Sequence, residues 1–378
     1  MTTIIANNMK TIFPMSLKTS FIFAVMLILS SCMTTKTENK DISLKDTSEH
    51  IVKVSDLISK YEWIHLDSIP NASIGNAARI IEHNGRIYIL DLTSRKEVLT
   101  FGADGKFLNT IGVQGNGHGE YPDILDFAVN TTNGDIAILS PASTVYVYNE
   151  VGNFIRSVKL TESLLWHIIF TQGHYICSTD HCTYTEGDDA FLIYTFTSDF
   201  KPEGKYIPVL PQQMPSTAMF EGLLSSQGDT GYYMDMFTHS LYEINNSGIP
   251  DLLFTFSLPD AMPNSVFGES MEFYMQQTKH DWIKTFIPLQ DSFLLTYVVN
   301  GNLCMAEISN EGKIKVSGLI GGILPKMFPA AHGSILSPVT REEYQTEWLG
   351  IPEEELTIKD MEGNLLLLRW HLNETTPF

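Results

Sequence analysis

An all-β fold is predicted by three observations. Short apolar runs recur along the chain, each bounded by Gly, Asn, Asp or Pro, as strands are, and one stretch alone has helical spacing. A glycine falls in the turn before the last strand of each unit, at Gly105, Gly152, Gly204, Gly248 and Gly312. Except for the last pair, these glycines stand roughly 45–50 residues apart, the length of one four-stranded blade. Antiparallel meanders with no helix to cover them must cover one another, and radial stacking does this in a β-propeller. Six four-stranded blades is the count, with five or seven also compatible.

The first thirty-two residues are a targeting segment and stand outside the fold. Lys10 and Lys18 precede the apolar run Phe21–Leu29, which is short for a membrane span. Leu29-Ser30-Ser31-Cys32 then resembles a bacterial lipobox, which implies that Cys32 is lipidated and anchors the mature chain to a membrane. Residues 33–60 are polar and charged and read as a flexible tether. Residues 61–378 form the propeller domain, beginning with the alternating strand Glu62–Leu66.

The clearest unit is Gly85–Ile111. Ile87–Leu90 and Val98–Phe101 are strands, Ala103-Asp104-Gly105-Lys106 is a tight turn, and Phe107–Ile111 returns. The second copy runs through Ile136–Leu139, Thr144–Tyr148, a turn at Gly152, and Phe154–Leu160. The third has His174–Cys177, Phe191–Phe196 and a turn through Pro202-Glu203-Gly204. Gly231–Met234, Ser240–Ile244 and Leu252–Phe256 make the fourth, and Phe293–Tyr297, Leu303–Ile308 and Ile314–Val316 the fifth. Between them, Met271, Tyr274, Met275 and Thr278 predict a helical insertion over Val266–Phe286. The strand at Gly363–Trp370 and the orphan strand Trp63–Leu66 are expected to share the last blade, which joins the termini and closes the ring, with Ser337–Met361 an excursion within it.

Composition limits function. A formal net charge of −20 with no basic stripe excludes nucleic acid as a partner. The glycine loop Gly115–Tyr121 is no phosphate cradle: Glu120 follows Gly119 where a P-loop has Lys, and no helix follows. Cys177 and Cys182 could form a disulfide in an exported protein, or be small buried side chains. Asp180-His181-Cys182 reads as a polar loop tip, since neighbours on a strand point apart. Glu186–Asp189 and Glu353–Glu355 read as solvated segments, and the histidines lack metal-ligand spacing.

The Gly85–Ile111 unit followed by Gly115, Gly117, Gly119, Glu120, Tyr121, Ile124, Asp126 and Phe127 resembles NHL-type repeats. More closely, it is similar to the six-bladed β-propeller lipoproteins of Bacteroidetes, whose loop reads Gly-x-Gly-Pro-Gly-Glu-Tyr; His118 replaces the proline. The resemblance implies fold and export and carries no chemistry. The motif residues, Asp126 and Phe127 among them, are read as a structural junction between blades.

The expected function is therefore that of a lipid-anchored, exported binding or scaffold module in the bacterial envelope, on the periplasmic or outer face of the outer membrane. Its ligand, a glycan, peptide or envelope protein, would sit at one mouth of the central channel. No catalytic residue and no cofactor is assigned. The alternative is a metal-dependent hydrolase or lyase that holds Ca²⁺ or Zn²⁺ in the channel.

Overall fold

The computed structural model describes residues 40–45, 50–69, 74–75, 77–179, 191–209, 224–261, 280–321, 324–339 and 365–372. Three strands precede the first complete blade: β1 (Lys40–Ser43), β2 (Ile51–Val52) and β3 (Ile58–His65), with one helical turn, α1 (Val54–Leu57), between the last two. Blade 1 is β4 (Ala77–His83), β5 (Arg86–Asp91), β6 (Glu97–Gly102) and β7 (Phe107–Ile111). Blade 2 is β8 (Asp126–Val129), β9 (Ile136–Ser140), β10 (Thr144–Tyr148) and β11 (Phe154–Lys159). Blade 3 is β12 (His167–Thr171), β13 (His174–Ser178), β14 (Phe191–Thr197) and β15 (Pro202–Pro208).

Blade 4 comprises β16 (Leu224–Gln227), β17 (Thr230–Asp235), β18 (Ser240–Ile244) and β19 (Pro250–Ser257). Blade 5 comprises β20 (Trp282–Pro288), β21 (Ser292–Val299), β22 (Asn302–Ser309) and β23 (Ile314–Ile320). Blade 6 has β24 (Phe328–Pro329), β25 (Ile335–Val339), β26 (Leu366–Leu372) and, outermost, β3. The first strand of each blade touches the first strand of the next, from β4 round through β24 and back to β4. The fold is thus a six-bladed β-propeller, and the terminal strands close its last blade: β26 pairs antiparallel with β3, His65 opposite Leu366.

The core lies between blades. Tyr88, Leu90 and Ile111 of blade 1 pack on Phe127, Ile138 and Tyr148 of blade 2, and Leu336 and Leu367 of blade 6 pack on Ile87 and Leu99 of blade 1. Among the described residues no helix is long and apolar enough to cross a membrane.

Three expectations are corrected. Of the tether expected over 33–60, Lys40–Ser43 and Ile51–Val52 are built into the propeller. β1 adds parallel to β19 and β2 parallel to β23 as fifth strands of blades 4 and 5. Because only one side of such an edge strand meets the core, Ile42 is the single buried residue of β1 and the segment reads as polar.

The turn of the third copy is not at Gly204, which lies inside β15 opposite Thr195. Phe200 takes the place of the glycine. Its N–H donates to Thr197 O and its φ is 64°, matching Gly105, Gly152, Gly248 and Gly312 with φ of 71° to 88°. A side chain in this left-handed region costs about 1–2 kcal/mol. The Phe200 ring offsets the strain by stacking on Tyr175, with centroids 4.1 Å apart and planes 17° apart.

The helical insertion predicted over Val266–Phe286 gives way, at its C-terminal end, to the strand β20. The register slips between Ile283 and Thr285, so Lys284 is a bulge residue, and Ile283 and Phe286 are both buried three residues apart. Met271, Tyr274, Met275 and Thr278 lie outside the described residues. Of the segment Ser337–Met361, the first three residues belong to β25.

Candidate functional site at the channel mouth

The inner strands surround a cavity of about 930 Å³ on the propeller axis, within the range of small-molecule sites. All six run the same way, from the side where one blade leads to the next toward the tight hairpin into the second strand. The starting end is called the loop side here, and the opposite one the hairpin side.

At the loop side, three blades contribute one polar group each. Arg79 follows a bulge in β4, where the register slips between Ala77 and Arg79. Its Nη1 donates to Asp126 Oδ2, the first residue of β8. His167, first in β12, brings Nδ1 to 3.4 Å from the same oxygen, and the Ile168 N–H donates to it at 2.9 Å. Asp126 is only 2% exposed. Burial alone would raise its carboxyl, but the Arg79 charge, the His167 contact and the Ile168 N–H together hold it below the usual carboxylate range. Lys284, at the bulge of β20, and Lys326, just ahead of β24, line the same end of the cavity.

The hairpin side is built differently. Glu82, near the end of β4, accepts two hydrogen bonds from Arg369 of β26, from Nη2 at 2.7 Å and Nη1 at 2.8 Å, and one from the Ala331 N–H at 3.1 Å. Burial works against the Glu82 carboxylate and Arg369 outweighs it, so its pKa lies below the ordinary value. Arg369 Nε stands 2.7 Å from Glu62 Oε1, an ion pair in which the N–H points off the line of a hydrogen bond. Next to Glu82, His83 has a buried Nε2 without a hydrogen-bond partner among the described residues; burial lowers its pKa against the pull of Asp229.

The glycine motif lies away from the channel. Gly115 N–H donates to Tyr121 O, and Tyr121 N–H to Val113 O, closing the loop between β7 and β8. Glu120 folds back inside it and accepts the Gly117 N–H at 2.7 Å. A Cβ at Gly115 would collide with that carboxylate, and one at Gly117 would come within 2.9 Å of it. Gly119, with φ of 78°, packs on Phe154, and its carbonyl accepts the Tyr148 hydroxyl at 2.9 Å. Tyr121 is buried and donates to Lys96 O at 3.0 Å. Gly115, Gly117 and Gly119 therefore make room for Glu120 and Phe154 while Tyr121 ties the loop to blade 1. Phe127 is core. Asp126, at the end of the same motif, reaches the channel, and this the sequence reading did not assign.

Cys177 is wholly buried on β13 and forms no disulfide among the described residues, and burial raises its pKa well above the ordinary value. Its suggested partner Cys182 lies outside the described residues, as do Cys32, Asp180-His181, Glu186–Asp189 and Glu353–Glu355. Among the described residues no three His, Cys, Asp or Glu side chains gather to hold a metal ion. Arg79, His167 and Lys284 escaped sequence reading because each is a lone polar residue on its own blade. The Asp-Phe pair at 126–127 was the one linear signal that touched the site.

Comparison with known proteins bears on the fold. A solved structure from Bacteroides fragilis, described as an exported protein, is 17% identical with a TM-score of 0.73, covering 89% of this chain and 100% of that one. A member of the DUF4221 family from Bacteroides vulgatus is 10% identical with a TM-score of 0.56, covering 84% and 99%. No protein of curated function matches. Residues 39–320 match the domain of unknown function DUF4934, and the chain belongs to that family.

Proposed function

We propose that this protein is an exported, lipid-anchored propeller that binds a ligand at the loop-side mouth of its channel. The observation that carries the reading is the convergence of Arg79, Asp126 and His167 from three blades on a cavity of about 930 Å³. A buried carboxylate held by a guanidinium is a costly arrangement for mere packing, and a nonpolar trio would fill the gap between inner strands more cheaply. Export and anchoring are supported by Leu29-Ser30-Ser31-Cys32 and by the similarity to an exported Bacteroides protein.

Thermal-shift screening of the intact protein in detergent, against saccharides, peptides and organic acids, tests the ligand site. A true ligand raises the Tm of the wild type and loses its effect in Ser226→Trp, which places a bulky ring in the channel from β16. A screen without any stabilising compound, or one whose hits ignore Ser226→Trp, would sink the reading. The anchor has its own test: labelled fatty acid is incorporated into the wild type in cells, and Cys32→Ser abolishes it.

A further inference from the structure

Among the described residues, the loop-side mouth carries a charge opposite to that of the molecule. The chain has 44 acidic residues against 24 basic ones. Among the described residues at this mouth the proportion inverts: Arg79, Lys326 and Lys284 come from the adjoining blades 1, 6 and 5, and Asp126 is the single acid. The other two acids lining the cavity, Glu82 and Asp229, lie at the hairpin side, and Glu82 is committed to Arg369.

Two of these basic groups, Arg79 and Lys284, are also available. Asp126 occupies Nη1 of Arg79, while Nε and Nη2 have no partner among the described residues. Lys284 is exposed and has no ion-pair or hydrogen-bond partner among them. Both residues sit at bulges in inner strands, and bulges characteristically re-aim a side chain beside a binding site. Asp126 sets the guanidinium in place without cancelling Lys284. Within a channel of low dielectric their field is focused toward the axis, and the open edge of a guanidinium accepts a carboxylate by paired hydrogen bonds.

We propose that the mouth binds an organic anion, with its carboxylate between Arg79 and the lysines and its uncharged part in the channel below. This deepens the channel-site reading and rests on it. The intact protein is titrated calorimetrically with three acid and neutral pairs: glutamate and glutamine, glucuronate and glucose, trigalacturonate and its methyl ester. The acid of at least one pair is expected to bind tenfold or more tightly than its neutral partner, to weaken as salt is added, and to weaken severalfold in Lys284→Gln. Neutral members that bind as well as the acids overturn the anionic class and leave the channel site standing. Acid binding unchanged in Ser226→Trp overturns both, and so does a set of titrations in which nothing binds.

Discussion

Arg369 and Glu82 meet through two hydrogen bonds of 2.7 and 2.8 Å across the junction between the last blade of the ring and the first. Both side chains are about nine-tenths buried, at 12% and 9% exposure. Arg369→Ala leaves the Glu82 carboxylate in a dry site with the Ala331 N–H as its remaining partner. A loss of about 3 kcal/mol is expected from chemical denaturation, as for other broken buried pairs. A loss under 1 kcal/mol would show that water reaches Glu82 freely.

Phe200 offers a comparison between two truncations. Both Phe200→Ala and Phe200→Gly remove the stack on Tyr175, but alanine keeps the left-handed strain at φ of 64° and glycine does not. The glycine variant should therefore be the more stable of the two, by about 1 kcal/mol. An alanine variant as stable as the glycine one would mean that the turn relaxes when the ring is gone.

The glycine motif predicts coupling rather than a simple loss. Gly115→Ala drives a methyl group into the Glu120 carboxylate and should destabilise the fold. Adding Glu120→Ala clears that space, so the double variant should recover at least 1 kcal/mol relative to the sum of the two single changes. Strict additivity would put the strain elsewhere.

Acid should weaken the fold in two stages. Burial lowers the pKa of His239 despite Asp235, and that of His83 despite Asp229, from an ordinary value of 6.5. The unfolded chain then takes up protons first, so stability is complete above about pH 6.5 and falls as the pH drops below it. Asp126, Glu82 and Asp91 have lowered carboxyl pKa values. Their contribution is present above the ordinary carboxyl range, near pH 4, and is lost below it. Denaturation midpoints between pH 7.5 and 5 should slope less steeply in His239→Gln; an unchanged slope would remove His239 from the account.

Much of the blade structure was legible because the second and third strands of each blade are buried on both faces. Ile87–Leu90 and Ile136–Leu139 show this as unbroken apolar runs. The inner strands were not legible. Where such a strand borders the channel its apolar pattern is interrupted, as in Leu224-Ser225-Ser226-Gln227. The edge strand β1 hid for the same reason, with Ile42 alone turned inward. The site shared this fate: Arg79, Asp126, His167 and Lys284 are joined by ring geometry and by nothing in their local sequence.

Pairing of β3 with β26 has a kinetic side. His65 must wait for Leu366, 301 positions later, before the last sheet can form. The four-stranded meanders of blades 1 to 5 can each assemble from neighbouring residues, but the ring has to stand open, with β3 lacking its partner, until nearly the entire chain has emerged. Contacts of such sequence separation are slow to form, and an unpaired strand edge invites wrong partners meanwhile. The closure that seals the finished molecule thus makes its final folding step the slowest and the most exposed to misassembly.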